Sequence, residues 1–308
     1  MLQRLQILMA TYNSGSYLAP QLDSILAQDF QDFEILIRDG GSTDGTLEVI
    51  AQYRKKAPEK ISLIGQERAG ARENFSQLLK SADGSLLMFA DHDDIWMPDK
   101  ISSFLAKFKE LEMRYGSATP LLLFSDAVVT DRRLNKISDS LMEYQNLNPH
   151  ELSLNRLILQ NVPSGNAMLF NRALADLAMP IPETAVMHDH WLALAAAAFG
   201  KIGYLDRPTV YYRQHGDNVF GASRYSVLSL VRRLKLGRRK IRERFEQNIA
   251  QAVTFGERYG DLSAKNKEML SALSKWPDLG FWGKRKVLWK YHLKKSGFFR
   301  NLGVWLIV

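Results

Sequence analysis

Five apolar residues, LLMFA at positions 86–90, run without interruption into three carboxylates, Asp91, Asp93 and Asp94. A run of that length built from Leu, Met and Phe reads as a buried strand, and Pro98, Asp99 and Lys100 read as the start of a helix. The acids therefore fall at the C-terminal end of a strand, the edge at which open α/β sheets bind ligands. Three acids within four residues repel one another unless a cation joins them. Oxygen donors on a short loop suit Mg2+ or Mn2+, which in turn hold phosphates. An acidic turn that only caps the next helix has the same local sequence, so the motif gains meaning only if other polar clusters share its edge.

Such clusters occur. Residues 6–10, QILMA, read as a first strand, followed by the polar turn TYNSGSYL and a helix over about 17–28 with apolar residues at Leu18, Leu22, Ile25 and Leu26. Residues 33–37, FEILI, form a second strand that ends in RDGGSTDGT before a helix over about 46–56; the glycines permit a tight turn, and Ser42, Thr43 and Asp44 can cap that helix. A short strand at 61–64, a helix at 73–81 and the strand at 86–90 continue the alternation, which argues a mostly parallel sheet with helices on both faces. After a helix over 99–115, strands are expected at 121–125, 165–170, 201–205 and 210–213, a helix at 153–160 and an alanine-rich buried helix at 190–199. Residues 129–149 are polar and rich in turns. The clusters after strands one, two and four all project from one edge of such a sheet.

Charge divides the chain more sharply than hydropathy does. Residues 1–220 hold 21 Lys+Arg against 27 Asp+Glu, whereas residues 221–308 hold 20 against 6. The overall net charge of +8 thus belongs to the C-terminal segment, and points to a polyanionic partner. There, Trp282, Leu288, Trp289, Leu293, Phe298, Phe299 and Trp305 alternate with Lys284, Arg285, Lys286, Lys290, Lys294 and Lys295. That pattern suits a helix lying in a bilayer interface and equally a helix packed on the rest of the molecule with a solvated basic face. The chain has no cysteine, which excludes disulfides and thiolate metal sites and fits a reducing compartment. The first ten residues carry one basic residue and too short an apolar run for a signal peptide, and no stretch approaches the roughly 18 apolar residues of a spanning helix. The expected location is therefore cytoplasmic, peripheral on the inner face of the plasma membrane.

Neither GxxxxGK nor a GxGxxG after the first strand is present, which argues against a P-loop or a Rossmann dinucleotide site. The segments LMATYNSGSYLAPQLDSILAQDFQDFEILIRDGGSTDGT and FADHDDIW resemble the nucleotide-sugar half of inverting glycosyltransferases of family 2, which have the GT-A fold. NVPSGNAMLFNR and MHDHWLALAAAAFGKIGYLDRPTVYYRQHGDNVFG resemble the bacterial dTDP-rhamnosyltransferase branch. The resemblance covers about residues 3–221, implying a catalytic domain over 1–221, with a donor half to about residue 97 and an acceptor half beyond it. Residues 222–308 form a helical, basic extension that the resemblance explains only loosely.

The resemblance implies roles for individual residues. Thr11, Tyr12 and Asn13 would line the nucleoside pocket, and Asp39 would accept a hydrogen bond from the pyrimidine imide. Where many relatives have DDGS, this chain has Gly40 after Asp39, which removes a secondary contact. Arg72 and Asn74 fall where further base or ribose contacts are expected. Asp91 would contact ribose or metal and Asp93 would be the main ligand of Mn2+ or Mg2+, with Asp94 either a ligand or a helix cap. Asp189 matches the catalytic base; at a bare position it reads as an N-cap, but the chemistry requires a carboxylate to take the acceptor hydroxyl's proton. Trp191, Gly165 and Asn166 fall at expected acceptor or sugar contacts, although Trp191 reads equally well as core. His215 resembles a third metal or diphosphate contact, and Arg213, two residues earlier on the same strand face, would neutralise diphosphate charge. The loop past Asn218 would fold over the donor. The QxxRW element of processive synthases is absent, which favours addition of a single sugar to a glycan or polyprenyl-linked acceptor.

Two readings from other classes compete. A nucleotidyltransferase would need a glycine- and lysine-rich phosphate loop near the N-terminus, and TYNSGSYL has no lysine. A nucleic-acid-binding protein would use the basic segment; the motifs of the first 220 residues favour no nucleic acid and an anionic membrane surface instead.

Overall fold

The computed structural model describes residues 4–216 and 227–307. The loop past Asn218, expected to cover the donor, lies outside them. The first part alternates as the apolar runs require: β1 (Leu5–Thr11), α1 (Leu18–Leu26), β2 (Phe33–Asp39), α2 (Thr46–Lys56), β3 (Ile61–Gly65), α3 (Ala71–Ser81) and β4 (Leu86–Asp91). These four strands are parallel, with β1 between β2 and β4. Every residue of β1 is buried. Because successive side chains point to opposite faces, Leu8 and Ala10 enter one core and Ile7 and Met9 the other, so helices must cover both sides.

β5 (Ile95–Trp96) and α4 (Lys100–Tyr115) lead into β6 (Leu121–Thr130), β7 (Lys136–Ser138), α5 (Leu141–Gln145) and α6 (Leu154–Leu157). Then follow β8 (Met168–Asn171), α7 (Arg172–Ala178), α8 (His188–Phe199) and β9 (Lys201–Arg213). The nine-stranded sheet has the order β3-β2-β1-β4-β8-β6-β9-β5, with β7 on β6. The sheet is mixed rather than parallel throughout, because β8 enters antiparallel to both β4 and β6. Two strands expected at 201–205 and 210–213 are one: β9 follows β6 in parallel past a register shift at which Leu205 faces Ser125 and Pro208 faces Asp126. A proline is tolerated at such an irregularity because no regular ladder bond is lost there. The segment expected as a strand over 165–170 opens with a 3-10 turn, Gly165–Ala167, before β8.

The C-terminal segment forms α9 (Val227–Arg258), α10 (Ala264–Ser274), α11 (Phe281–Lys290) and α12 (Phe298–Ile307). Phe245, Ile249, Ala252 and Phe255, spaced three or four apart on α9, bury one stripe. They join the core that holds Trp191, Leu192 and Ala196 of α8, together with Leu273, Leu288, Leu293 and Val304. The basic helices therefore share a core with α8 and with one face of the sheet.

Candidate active site

The ends of β1 and β2 are stitched into one rim. Thr11 Oγ1 donates to Asp39 Oδ1 (2.8 Å), and Asn13, in a left-handed conformation with φ of 44°, accepts from Thr43 N–H (2.9 Å) while its own N–H donates to Ser42 Oγ (2.8 Å). Tyr12 projects from this rim and is 50% exposed. Asp39 is fully buried and accepts four hydrogen bonds, from Thr11 Oγ1, Ser42 Oγ and the N–H groups of Gly41 and Ser42. A carboxylate has about four acceptor sites, so here all are filled. Asp39 holds the turn as it stands, and a base that reached it would have to displace or share one of those donors.

Asn74 is also buried, its Nδ2 donating to Ala69 O (3.2 Å). A side chain at position 40 would place its Cβ 2.7 Å from that Nδ2 and 2.9 Å from Ala69 O, so the packing of Asn74 requires Gly40. Asn74 packs the floor of the rim rather than facing open space. Arg72 is turned away from the rim as well, donating to the carbonyls of Glu183 and, at 3.2 Å, Ala185, and so ties α3 to the loop before α8.

Beyond β4, ligand oxygens of Asp91, Asp93 and Asp94 all lie within 4.8 Å of one another. Burial, the charge of Asp93 and that of Asp189 push the Asp91 carboxyl up to about 7, against the pull of Lys100. The three acids are not equivalent. Asp93 Oδ2 lies 2.8 Å from His215 Nε2, and the His215 ring stacks on Tyr17 at 4.6 Å, with the Arg213 guanidinium over the same tyrosine. Asp94 is fully buried and accepts from Arg213 N–H (3.0 Å) and Asn166 Nδ2 (2.5 Å). It therefore caps no helix, and both its oxygens already serve the junction between the acidic loop and β9. Asp91 and Asp93, with His215 beside them, form an oxygen-rich set with one imidazole, which fits Mn2+ or Mg2+.

Asp189 lies in the first turn of α8, but the N-cap is Met187. Asp189 Oδ2 accepts from Asn161 Nδ2 (3.1 Å) and Gly165 N–H (3.2 Å), and Oδ1 from His190 N–H (2.7 Å). Desolvation outweighs these bonds and pushes its carboxyl up to about 6. A general base near neutrality is the form such a shift favours. Beside it His188 is buried against Phe75, centroids 3.8 Å apart, with neither ring nitrogen hydrogen-bonded among the described residues, and desolvation lowers it to about 3.

The three residues expected at acceptor or sugar contacts are all buried. Trp191 has no exposed surface; its Nε1 donates to Ala178 O (3.0 Å) and its ring packs on Phe255. Two residues along a helix turn the side chain by about 200°, so the buried Trp191 and the partly exposed Asp189 lie on opposite sides of α8. Asn166 is fully buried between Ser164 Oγ and Asp94, and Gly165 is buried with its N–H on Asp189. The 3-10 turn thus grips the acidic loop with one residue and the candidate base with the one before.

Lys100 was read only as the start of α4. It is fully buried over the Trp96 ring at 3.9 Å, and its Nζ donates to Asn166 O (2.6 Å). Burial pulls its pKa well below the usual lysine range, while Asp94 and Asp91 pull it up. The signal was present in the sequence: three adjacent acids demand a cation, and Lys100 follows Asp94 by six residues.

The family model described as glycosyl transferase family 2 matches residues 6–176, short of Asp189 and His215. An uncharacterized glycosyltransferase of Nostoc is 29% identical over 226 residues, which are 70% of this chain and 66% of the relative. The dTDP-rhamnosyl transferase RfbG of Shigella flexneri is 28% identical over 271 residues, 80% of this chain and 84% of the relative. Among solved structures, the mannosyltransferase PcManGT of Pyrobaculum calidifontis, in complex with GDP-Man and Mn2+, superposes with a TM-score of 0.55 at 17% identity, over 98% of this chain and 78% of that one. The mixed sheet with helices on both faces is the GT-A fold, and with more than half its length matched by the family model the chain belongs to glycosyl transferase family 2.

Proposed function

We propose that this chain is an inverting, metal-dependent, non-processive glycosyltransferase that moves one sugar, L-rhamnose from dTDP-rhamnose, to a glycan or lipid-linked glycan acceptor in cell-surface polysaccharide synthesis. The observation that carries the reading is the junction of two acidic centres through adjacent residues: Asn166 Nδ2 donates to Asp94 of the acidic loop and Gly165 N–H donates to Asp189. The rhamnose donor is supported by the resemblance of RfbG, a dTDP-rhamnosyl transferase, over 80% of the chain. A UDP-hexose or UDP-N-acetylhexosamine is the alternative donor. Residues 1–97 would bind donor, 98–221 acceptor, and 222–308 would buttress the domain and meet an anionic membrane surface.

Asp189 would take the proton of the acceptor hydroxyl as that oxygen bonds to the anomeric carbon, and the bond from that carbon to the diphosphate oxygen breaks on the opposite face, inverting the centre. The sugar leaves with the acceptor oxygen, and the nucleoside diphosphate departs with the electron pair of the broken bond. Asp91, Asp93 and His215 would hold Mn2+ or Mg2+, which when bound supplies charge to the departing diphosphate. Arg213, close to Tyr17 and His215, adds fixed positive charge at the same place. Tyr12, half-exposed on the first rim, is the candidate surface for the base. The test is a thermal-shift panel of nucleotide sugars with and without Mn2+, since a ligand raises the melting point only of the fold that binds it. Stabilisation by dTDP-rhamnose that needs Mn2+ supports the reading; equal stabilisation by all sugars, or none by any, removes the donor assignment.

A further inference from the structure

The turn that carries Asp189 is held at both ends by one residue of α9, a helix beyond the reach of the family model. Gln251 is fully buried; its Oε1 accepts from Val186 N–H (2.8 Å), and its Nε2 lies 3.2 Å from His190 Nδ1. The other ring nitrogen of His190 lies 2.6 Å from Leu157 O. A carbonyl oxygen only accepts, so the ring proton belongs on Nε2, which leaves Nδ1 as an acceptor for the Gln251 amide N–H. Each polar atom then has its complement, and neither the amide nor the ring can be reversed without setting acceptor against acceptor.

Val186 and His190 bracket Asp189, and the His190 N–H is itself a donor to the Asp189 carboxylate. One turn earlier on α9, Asn248 donates to Leu159 O (3.1 Å), steadying the strip that leads to Asn161 and Gly165, the other two donors to Asp189. Of the donors to that carboxylate, His190 is braced directly by α9, and the strip bearing the other two is fastened to α9 at Leu159.

We propose that Gln251 is a positioning residue for catalysis: acting through His190 and Val186, it fixes the Asp189 carboxylate toward the acceptor hydroxyl. The inference rests on Asp189 being the base. His190 stays neutral in this setting, pushed down to about 4 by burial and by the charge of Lys295, against the Leu157 hydrogen bond; Lys295 is the charged group that acts on the ring.

The experiment measures dTDP release from dTDP-L-rhamnose with a lipid-linked glycan extract as acceptor, alongside the melting shift produced by dTDP with Mn2+. Gln251→Leu leaves His190 Nδ1 and Val186 N–H unpaired; the expected turnover is about 10- to 100-fold lower, since misplacement by an ångström has effects of that order. Its donor KM and dTDP shift should stay within twofold of wild type. Gln251→Glu keeps an acceptor for Val186 but faces Nδ1 with a second acceptor, so the carboxylate and ring together must take up one proton. The 15N signals of the His190 ring should then show an imidazolium up to a higher pH than in wild type. Turnover should approach wild type below that new pKa and fall as pH rises through it, a limb that wild type lacks. Wild-type turnover and pH profile in both variants, with only a lower melting point, would make Gln251 a plain strut and overturn the proposal. Loss of the dTDP shift together with turnover in both variants would overturn it too. Asp189→Asn separates the two levels: if that variant keeps full turnover the base assignment fails, whereas if it is inactive while Gln251→Leu is normal only the positioning role fails.

Discussion

Asp189, Asp93 and Asp94 are chemically the same side chain, and their surroundings make them inequivalent. Asp189 receives three hydrogen bonds and still has its carboxyl raised to about 6, because desolvation outweighs them. As a base it acts ionised, so turnover is expected to be lost as pH falls through about 6 and to level off above it. Asp189→Asn should lower turnover by about 10²- to 10⁴-fold, a common range for a lost general base, with donor affinity within a few-fold of wild type. Collapse of donor binding in the same variant would instead mark Asp189 as structural. Asp93 has a different test. Removing one of three mutually repelling carboxylates relieves the metal-free protein, so Asp93→Ala should melt no lower than wild type without metal while losing the stabilisation that Mn2+ and dTDP give together. A pH consequence follows for the wild type. Asp91 and Asp189 have folded pKa values above their unfolded ones, so the stability they contribute is complete below about pH 4 and is lost as pH rises through about 6 to 7. The metal-free melting point should therefore decline across that window, and Mn2+ should flatten the decline; a metal-free melting point that climbs between pH 4 and 7 would contradict the raised carboxyls.

The 3-10 turn Gly165–Ala167 does at the level of an element what no single residue can: it spaces the acidic loop from the candidate base. Asn166 reaches Asp94, its carbonyl receives Lys100, and Gly165 N–H reaches Asp189. Regular elements were legible in the sequence because their signal is periodic. The apolar runs marked β1, β2 and β4, and the polar turns after them marked the edge on which the site forms. Contacts made through irregular backbone were not legible. Asn166 reads as a sugar contact and Trp191 equally as sugar contact or core, because which way a buried side chain faces depends on partners distant in sequence, Asp94 for one and Phe255 for the other. Asp39 shows the same limit: its position after β2 was readable, while the four donors that fill it come from a turn whose closure the sequence does not display. The reassignment of Trp191 has its own measurement. Trp191→Ala should destabilise the fold by about 3–5 kcal/mol, the usual range for a truncated core tryptophan, with donor and acceptor KM unchanged at temperatures where the variant remains folded. A large rise in acceptor KM at full stability would restore the sugar contact.

At the scale of the whole molecule, the question is what the C-terminal helices face on the side away from the core. Of the thirteen large hydrophobic residues exposed among the described ones, eight lie between Phe281 and Leu306, and Trp282, Trp289, Phe298 and Leu306 are each at least 69% exposed. Lys286 and Lys290 are exposed among them. Leu288, Leu293 and Val304 point inward to the shared core, and Arg285 joins α11 to α12 by donating to Phe281 O (3.0 Å) and Trp305 O. This pair of helices is thus held with its aromatic side outward. No helix among the described residues is long and apolar enough to cross a membrane, so the contact expected is with the surface, where tryptophans settle at headgroup level and each nearby lysine or arginine adds roughly 1 kcal/mol on an anionic leaflet. Deleting α11 and α12 is a poor test, because it would strip Leu288, Leu293 and Val304 from the core and release Arg300 from the carbonyls of Gln145 and Asn146. Surface substitutions avoid this. Wild-type protein should co-sediment with phosphatidylglycerol vesicles far better than with phosphatidylcholine vesicles, and salt at about 0.5 M, where the Debye length is only a few ångströms, should release most but not all of it. The triple variant Trp282→Ser, Trp289→Ser, Phe298→Ser should lose the salt-resistant fraction, with its melting point and its response to dTDP and Mn2+ unchanged. If wild type ignores both kinds of vesicle and instead sediments as a dimer that the triple substitution dissociates, the aromatic face belongs to a second copy of the chain and the membrane assignment is wrong.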